Sequence, residues 1–173
     1  MNILVTGAAG FIGRNLCVFL NEAGFENIEK ITLDDNTTSI ANKVKSADFI
    51  YHLAGVNRPD NDEEFKKGNT DLTQQIIDTL IEAKRSTPIV LSSSTQAELD
   101  NPYGVSKAGA ELAVAGYRQK TGAATYVYRL PNVFGKWCLP NYNSAVATFC
   151  YNIINGLPIT IHNPDAVLNL VYV

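Results

Sequence analysis

Apolar residues along the chain fall into two patterns, short continuous runs and longer segments with helical spacing. The continuous runs predict buried strands at residues 2–6, 28–33, 48–53, 88–91, 124–129, 159–161 and 167–173. The helical spacing predicts helices at residues 14–20, 39–45, 63–84, 103–121 and 144–155. Because strands alternate with helices from end to end, the expected fold class is α/β, with a doubly wound parallel sheet in a three-layer α/β/α arrangement.

The first predicted strand runs directly into a glycine-rich turn, in which Gly7, Gly10 and Gly13 are spaced as GxxGxxG. A strand, a glycine turn and a helix in this order are the context that a dinucleotide-binding fingerprint requires. Gly7 permits a tight turn, Gly10 lets backbone N–H groups approach a pyrophosphate, and Gly13 lets the helix pack closely on the strand. The alternative is an ordinary turn between a strand and a helix.

Two acidic residues, Asp34 and Asp35, close the second predicted strand. A carboxylate at this place can accept hydrogen bonds from the adenosine ribose and repel a 2′-phosphate, which favours NAD over NADP. The alternative is that both residues form a turn with Asn36, and the sequence supports the two interpretations equally.

Three serines and a tyrosine–lysine pair carry the candidate chemistry. Ser92–Ser94 stand at the end of a strand, where ligands bind in open α/β sheets, and Tyr103 and Lys107 lie one helical turn apart. A tyrosine with its ordinary pKa of about 10 exchanges protons poorly at neutral pH unless a cation stabilises its phenolate, as the Lys107 ammonium can. A serine hydroxyl can hydrogen-bond the substrate oxygen, so the set suits proton transfer while a nicotinamide carries hydride. By itself, YxxxK more often marks a solvated helix face.

Composition and charge exclude several classes of protein. The chain has 173 residues, of which 46% are hydrophobic and 18% charged, and its formal net charge is −3. This balance gives no attraction to nucleic acid or to an anionic membrane. We expect a cytoplasmic protein, because the sequence shows no signal peptide, no apolar run of about 18 residues and no CxxC pair. His52 is expected to be a hydrogen-bonded core residue, and with His162 it is too isolated to predict a metal site.

Five motifs in a fixed order, TGAAGFIG, HLAG, SSS, PYGVSK and YRLPNVFG, resemble those of the extended short-chain dehydrogenase/reductase family of nucleotide-sugar epimerases, dehydratases and reductases. The resemblance implies a Rossmann-type domain over residues 1–173 and a catalytic trio of Ser94, Tyr103 and Lys107. Together with the interpretation of the acidic pair, it assigns cofactor binding to Gly7, Gly10, Phe11, Ile12, Gly13, Asp34, Leu53, Ala54, Gly55, Asn69, Ser92, Tyr103, Lys107, Arg129 and Pro131. It assigns substrate binding to Ser94 and Asn132.

Longer stretches, HLAGVNRP, LSSSTQAELDNPYG and FGKWCLPNYNSAVATFCY, are similar to a reductase branch of this family, that of UDP-N-acetyl-L-fucosamine synthesis for capsular polysaccharide. The resemblance implies reduction of a UDP-4-keto-6-deoxy-acetamido-hexose with NADPH, by an enzyme expected to be a homodimer when full length. In that branch a substrate lobe and a zinc-binding cupin domain follow the reductase domain. Because the sequence stops within the apolar run LNLVYV, we expect a truncated chain that lacks both.

Two alternatives remain open at this point, an epimerase or dehydratase of the same family and a non-catalytic dinucleotide-binding sensor. Thr95 and Gln96 stand where a dehydratase usually has an acidic pair, which argues against that activity. Only fourteen residues separate Leu33 from Asp48, so one strand of the family's fuller dinucleotide-binding half is expected to be missing. The cofactor is therefore predicted as NAD(P), with NADPH implied by the resemblance and NAD by Asp34 and Asp35.

Overall fold

The first strand, β1 (Ile3–Thr6), lies inside the sheet, and all four of its residues are buried. In the computed structural model, which describes residues 1–161 and 163–173, β1 pairs in parallel with β2 (Ile28–Ile31) and with β3 (Phe49–His52). Strand β4 (Ile89–Ser94) pairs in parallel with β3, and β5 (Thr125–Leu130) completes the order β2-β1-β3-β4-β5. His162 lies outside the described residues.

Five helices connect these strands. They are α1 (Phe11–Glu22), α2 (Thr37–Ser46), α3 (Glu63–Phe65), α4 (Leu72–Glu82) and α5 (Pro102–Thr121). A π-helical turn, Lys66–Asp71, joins α3 to α4, and a 3₁₀ turn, Thr95–Glu98, follows β4. Helix α5 begins where the Asn101 side chain accepts a hydrogen bond from the Gly104 N–H, with proline at the first helical position.

Apolar residues of β1 contribute to two separate core clusters, one on each face of the sheet. Leu4 packs in a cluster with residues of α2, α4 and α5, such as Val44, Ile76 and Val114. Ile3 and Val5 point to the other face, where they pack against α1. The predicted three-layer, doubly wound α/β fold is therefore confirmed.

The chain changes direction in the sheet at β1, because β2 lies on one side of it and β3 on the other. Ligands of such sheets bind at this kind of switch point, outside the carboxyl ends of the strands. The segment from Thr32 to Asp48 holds α2 and no strand, so the shortened connection predicted from the sequence is confirmed.

Several element boundaries differ from the prediction. Helix α1 begins at Phe11 rather than Arg14, and β2 ends at Ile31 because Thr32 and Asp35 bond to each other in a turn. The helix predicted over 63–84 is interrupted by the π-helical turn, which hydrophobic spacing does not reveal. The strand predicted at 159–161 is wrong, because these residues have no paired strand beside them.

Residues 130–173 form a second compact unit, distinct from the first unit of residues 1–129. It holds β6 (Asn132–Phe134), α6 (Ala145–Ile154) and β7 (Leu170–Tyr172), and β6 pairs in parallel with β7. The Lys136 ammonium lies 4.7 Å from the centre of the Trp137 ring. In the described part of the chain, no helix is both long enough and apolar enough to cross a membrane.

Candidate active site

The glycine turn between β1 and α1 brings main chain close to main chain. Gly7 has a φ of +67°, and a Cβ built on it would lie 2.7 Å from the Ala54 backbone nitrogen. A Cβ on Gly13 would lie 2.2 Å from the Gly7 carbonyl oxygen, so only glycine lets α1 approach β1 this closely. Gly10 caps α1 without a side-chain acceptor, and the first turn holds no acidic residue. The helix start can therefore donate its N–H groups to phosphate, and these residues fit a dinucleotide pyrophosphate.

A buried hydrogen-bond chain holds the end of β3 beside this turn. The Thr73 hydroxyl donates to the Asn69 carbonyl at 2.6 Å, so its oxygen is left to accept from Nε2–H of His52 at 2.9 Å. Nδ1 of His52 then accepts from the Thr6 hydroxyl at 2.7 Å, and the Thr6 oxygen accepts from the Ala54 N–H at 3.0 Å. The directions of these bonds fix His52 as the neutral Nε2–H tautomer.

Burial, and to a smaller extent the nearby Lys107 charge, lower the pKa of His52 to about 3. The prediction that His52 is a satisfied core histidine is confirmed. Its role is to hold Ala54, and with it the main chain leading to Gly55, next to the glycine turn.

Asn69 lies in the π-helical turn and is buried. Its side chain accepts from the Val56 N–H at 2.9 Å and donates to the Val56 carbonyl and to the Ser106 hydroxyl, each at 2.9 Å. These three bonds tie the segment after β3 to helix α5. A Cβ on Gly55 would meet Asn69 Oδ1 at 2.7 Å and Lys107 Nζ at 3.6 Å, so this glycine keeps the segment against the site.

The predicted trio comes together where α5 packs against the end of β4. Lys107 Nζ donates to the Ser92 carbonyl at 2.7 Å and is buried. The Ser94 oxygen accepts from the Gln96 N–H at 3.1 Å, and its hydroxyl hydrogen-bonds Tyr103. The Tyr103 ring also packs against Phe65, with 5.5 Å between the ring centres.

The surroundings of the trio shift its pKa values. Burial raises the pKa of Tyr103 above its usual value, and the hydrogen bond from Ser94 opposes this rise. Burial lowers the pKa of Lys107 to about 8, and the Glu111 carboxylate opposes this fall. A half-buried tyrosine beside a buried ammonium can deliver a proton and keep the resulting phenolate stable.

Glu111 and Phe65 were missed by sequence reasoning. Glu111 lies one helical turn beyond Lys107, the same spacing that singled out Tyr103 and Lys107, so this signal was present in the sequence. Its carboxylate accepts from the Ser93 hydroxyl at 2.5 Å and from Arg129 through three bonds, of 2.9, 3.2 and 2.7 Å. Phe65 gave no comparable signal, because its contact with Tyr103 spans 38 positions of the chain.

The two acidic residues after β2 differ in the structure. Asp35 accepts from Ser39 at 2.6 Å and from the Thr32 N–H at 2.9 Å, and it pairs with Lys43. The hydrogen bond from Lys43, with those from Ser39 and Thr32, holds the pKa of Asp35 well below its usual range. Asp35 thus makes the turn that leads into α2, whereas Asp34 is exposed.

The remaining predicted residues are distributed over both units. Phe11 and Ile12 lie in the first turn of α1, and Leu53 packs against the cluster around Ile3 and Val5. Arg129, at the end of β5, pairs with Glu111 and with Glu98, so the structure assigns its guanidinium to the support of α5 and the 3₁₀ turn. Pro131 and Asn132 belong to the second unit, where Asn132 donates to the Asn169 carbonyl at 3.3 Å.

No group of three or more histidine, cysteine, aspartate or glutamate side chains within residues 1–161 and 163–173 is arranged to hold a metal ion. The three cysteines, Cys17, Cys138 and Cys150, are free thiols.

The chain is similar to known proteins over its whole length. The chain is 49% identical over 173 residues to UDP-2-acetamido-2,6-beta-L-arabino-hexul-4-ose reductase of Pseudomonas aeruginosa, a match that covers 100% of this chain and 46% of the relative. It is similar to the crystal structure of capsular polysaccharide assembling protein CapF from Staphylococcus aureus, with 43% identity, a TM-score of 0.87 and coverage of 99% of this chain and 47% of that one. The chain therefore spans about half the length of these two relatives.

A more distant structure, UDP-glucose 4-epimerase from Thermotoga maritima with UDP-glucose, is 21% identical with a TM-score of 0.87, over 99% of this chain and 69% of that one, and shares the fold. The family match extends over residues 3–173, which include the glycine turn, the serines of β4 and the Tyr103–Lys107 pair. The chain belongs to the NAD dependent epimerase/dehydratase family.

Proposed function

We propose that the protein reduces the 4-keto group of a UDP-linked acetamido-6-deoxy sugar with a nicotinamide cofactor, in the synthesis of a capsule or O-antigen polysaccharide. The observation that carries this proposal is the meeting of Ser94, Tyr103 and Lys107 at the carboxyl end of β4, in the same unit as the glycine turn. The 49% identical relative is named as a reductase of a UDP-linked hexul-4-ose, which supports the same substrate class.

The chain's own residues supply the proton. When bound, the nicotinamide cofactor supplies the hydride to the keto carbon. The Tyr103 hydroxyl donates its proton to the keto oxygen as this oxygen gains negative charge. The Lys107 ammonium, oriented by the Ser92 carbonyl, stabilises the phenolate that remains. The Ser94 hydroxyl bonds Tyr103 in the structure, and with substrate bound its one proton turns to the same keto oxygen while the Ser94 oxygen still accepts from the Gln96 N–H.

The choice between NAD and NADP belongs to the proposal as well. Gly7, Gly10 and Gly13 suit the pyrophosphate of either cofactor. We infer that Asp34 faces the adenosine ribose, because Asp35 is already engaged with Ser39 and Lys43. A carboxylate at this strand end repels a 2′-phosphate, so NADH is favoured, whereas the resemblance implies NADPH.

We also propose that the reaction takes place in the cytoplasm, which suits the three free thiols, and that the complete protein is a homodimer. The oligomeric state can be measured by light scattering on the intact protein, where a monomer would contradict the second part.

The function is tested by replacing Tyr103 with phenylalanine in the intact protein. With the proton donor removed, kcat on a 4-keto UDP-sugar should fall by about 10²–10⁴-fold, while cofactor affinity in calorimetry should remain. Lys107→Met should lower kcat and weaken cofactor binding. Ser94→Ala should have a smaller effect on kcat, a loss of about 0.5–1.5 kcal/mol of transition-state stabilisation, because it removes one neutral hydrogen bond.

Tyr126→Phe is the matched control, since this tyrosine lies on β5 and its side chain is exposed. Near-normal turnover by Tyr103→Phe would show that the assigned chemistry is wrong and would favour a cofactor-binding sensor.

A further inference from the structure

Helix α5 presents three polar side chains along one face, Tyr103, Lys107 and Glu111, each one helical turn from the next. Each of them contacts one of three consecutive serines of β4. Tyr103 bonds the hydroxyl of Ser94, Lys107 donates to the carbonyl of Ser92 at 2.7 Å, and Glu111 accepts from the hydroxyl of Ser93 at 2.5 Å. The contacts of Glu111 therefore extend the contacts of the proposed catalytic pair by one turn.

Glu111 is the residue that connects this helix face to two strands at once. Besides Ser93 on β4, it binds the guanidinium of Arg129 on β5 through two parallel bonds. Such bidentate pairs fix orientation as well as distance. The Glu111 side chain is only 15% exposed and Ser93 is buried, so the contact is held within the structure rather than on a mobile surface.

The Arg129 guanidinium also binds Glu98 at 2.6 Å, in the 3₁₀ turn that follows Ser94. Glu98 is 70% exposed, and its described contact is with Arg129. Glu98 therefore shares a partner with Glu111 but lies outside the row of contacts between α5 and β4.

Few charged groups face Lys107. Tyr103 and Glu111 lie on its own helix, and His52 faces it from β3 in the neutral form. Ser94 lies at the end of β4, and Glu98, in the 3₁₀ turn, is paired with Arg129. The segment after β3 and the π-helical turn present Gly55 and the uncharged amide of Asn69. The other ionisable side chains of the π-helical turn and of α4 are exposed to solvent: Lys66, Lys67, Asp71, Asp78 and Glu82. Glu111 is thus the carboxylate that acts on the buried ammonium.

We propose that Glu111 is a positioning residue for Lys107: held by Ser93 and Arg129 one helical turn along α5, its carboxylate supplies the negative charge that acts on the buried Lys107 ammonium. The inference rests on the proposed function for the meaning of that ammonium in catalysis. The contacts themselves do not depend on which sugar is reduced.

The test compares Glu111→Gln with Glu98→Gln in the intact protein, using NMR of ¹³Cε-labelled lysine without cofactor or substrate. The Lys107 resonance is identified by its absence in Lys107→Met. We expect the Lys107 titration midpoint, about 8 in the unchanged protein, to fall in Glu111→Gln and to stay in place in Glu98→Gln. In the same variants, the alkaline limb of kcat/KM should move to lower pH with Glu111→Gln alone.

A third variant should shift the Lys107 titration midpoint in the opposite direction. It also covers the case in which Glu111→Gln does not fold. Arg129→Gln removes the cation that partly neutralises Glu111, while the Ser93 hydroxyl still holds the carboxylate in place, so the Lys107 midpoint should rise. A Lys107 midpoint that is unchanged in Glu111→Gln, or that falls in Arg129→Gln, would overturn the inference. Because the titration is read without turnover, an active Tyr103→Phe enzyme would overturn the proposed function and leave the titration result standing.

Discussion

At the scale of single residues, His52 shows how the fold selects one protonation state of a side chain. Because Thr73 already donates to Asn69, it accepts from the ring Nε2–H, and in the neutral ring Nδ1 is left to accept from the Thr6 hydroxyl. A proton added to Nδ1 would remove the acceptor of the Thr6 hydroxyl and place a positive charge in a fully buried site. Protonation is therefore unfavourable in the folded state.

This arrangement predicts that the protein loses stability in mild acid. The pKa of His52 is about 3 in the folded state, below its usual 6.5, so the unfolded state binds the extra proton as pH falls through this range. Stability is therefore fully present above about pH 6.5 and declines below it, by up to about 1.4 kcal/mol per pH unit. Urea unfolding at pH 7 and pH 5 should show a loss of about 2 kcal/mol from this source.

His52→Gln serves as the comparison, since glutamine does not titrate in this range. The variant should be less stable than the original protein at pH 7 and should lose less between pH 7 and pH 5. Asp35 does not disturb this comparison between pH 7 and pH 5. Its contribution to folding stability is lost only as the pH falls below 3.8, its pKa in the unfolded state. Equal losses in the two proteins would contradict the assignment.

Asp34 and Asp35 are adjacent and chemically identical, yet the structure gives them different surroundings. Asp34→Asn should increase the affinity for NADPH relative to NADH by about fivefold to tenfold, because one exposed charge close to a phosphate is worth about 1 kcal/mol in water. Asp35→Asn should instead lower the melting temperature, since it breaks the turn before α2. Calorimetry with both cofactors measures the ratio, and an unchanged ratio in Asp34→Asn would show that this residue does not face the ribose.

At the scale of elements, the seating of α1 on β1 depends on the absence of one methyl group. Gly13→Ala should destabilise the protein by about 1–3 kcal/mol and weaken dinucleotide binding, because its Cβ would overlap the Gly7 carbonyl and push the helix away. Gly116→Ala in α5 is the matched control, because a Cβ there meets nothing within 4 Å. This substitution should increase the free energy of unfolding by about 0.5–1 kcal/mol. Chemical unfolding and cofactor titration check both, and a fully stable Gly13→Ala would mean that helix and strand are not in this contact.

The elements also show which information the sequence contains. The glycine turn and the Tyr103–Lys107 pair were predictable because their geometry is set by spacing within one element or across one turn. The chain from Thr6 through His52 to Thr73 was not, because it joins residues 46 and 21 positions apart on three elements. The π-helical turn around Asn69 was also missed, since its side-chain pattern fits an ordinary helix and its cause is the set of bonds to Val56 and Ser106.

At the scale of the whole molecule, burial is distributed unevenly between the two units. The first unit contains both core clusters, whereas Ser144 is the one buried residue among those described in the second. Local stability follows buried contacts, so hydrogen exchange should be slowest in β1 and β3 and much faster across residues 130–173. Mass spectrometry of exchanged peptides measures this, and equal protection of the two units would contradict it.

The position of Trp137 has a practical consequence for optical spectroscopy. It is the single tryptophan of the sequence and lies in the second unit, where the Lys136 ammonium sits over its ring. Selective excitation of indole therefore observes residues 130–173 alone, while far-ultraviolet circular dichroism is dominated by the larger first unit. A denaturation curve recorded in both ways on one sample separates the melting of the two units without any added label.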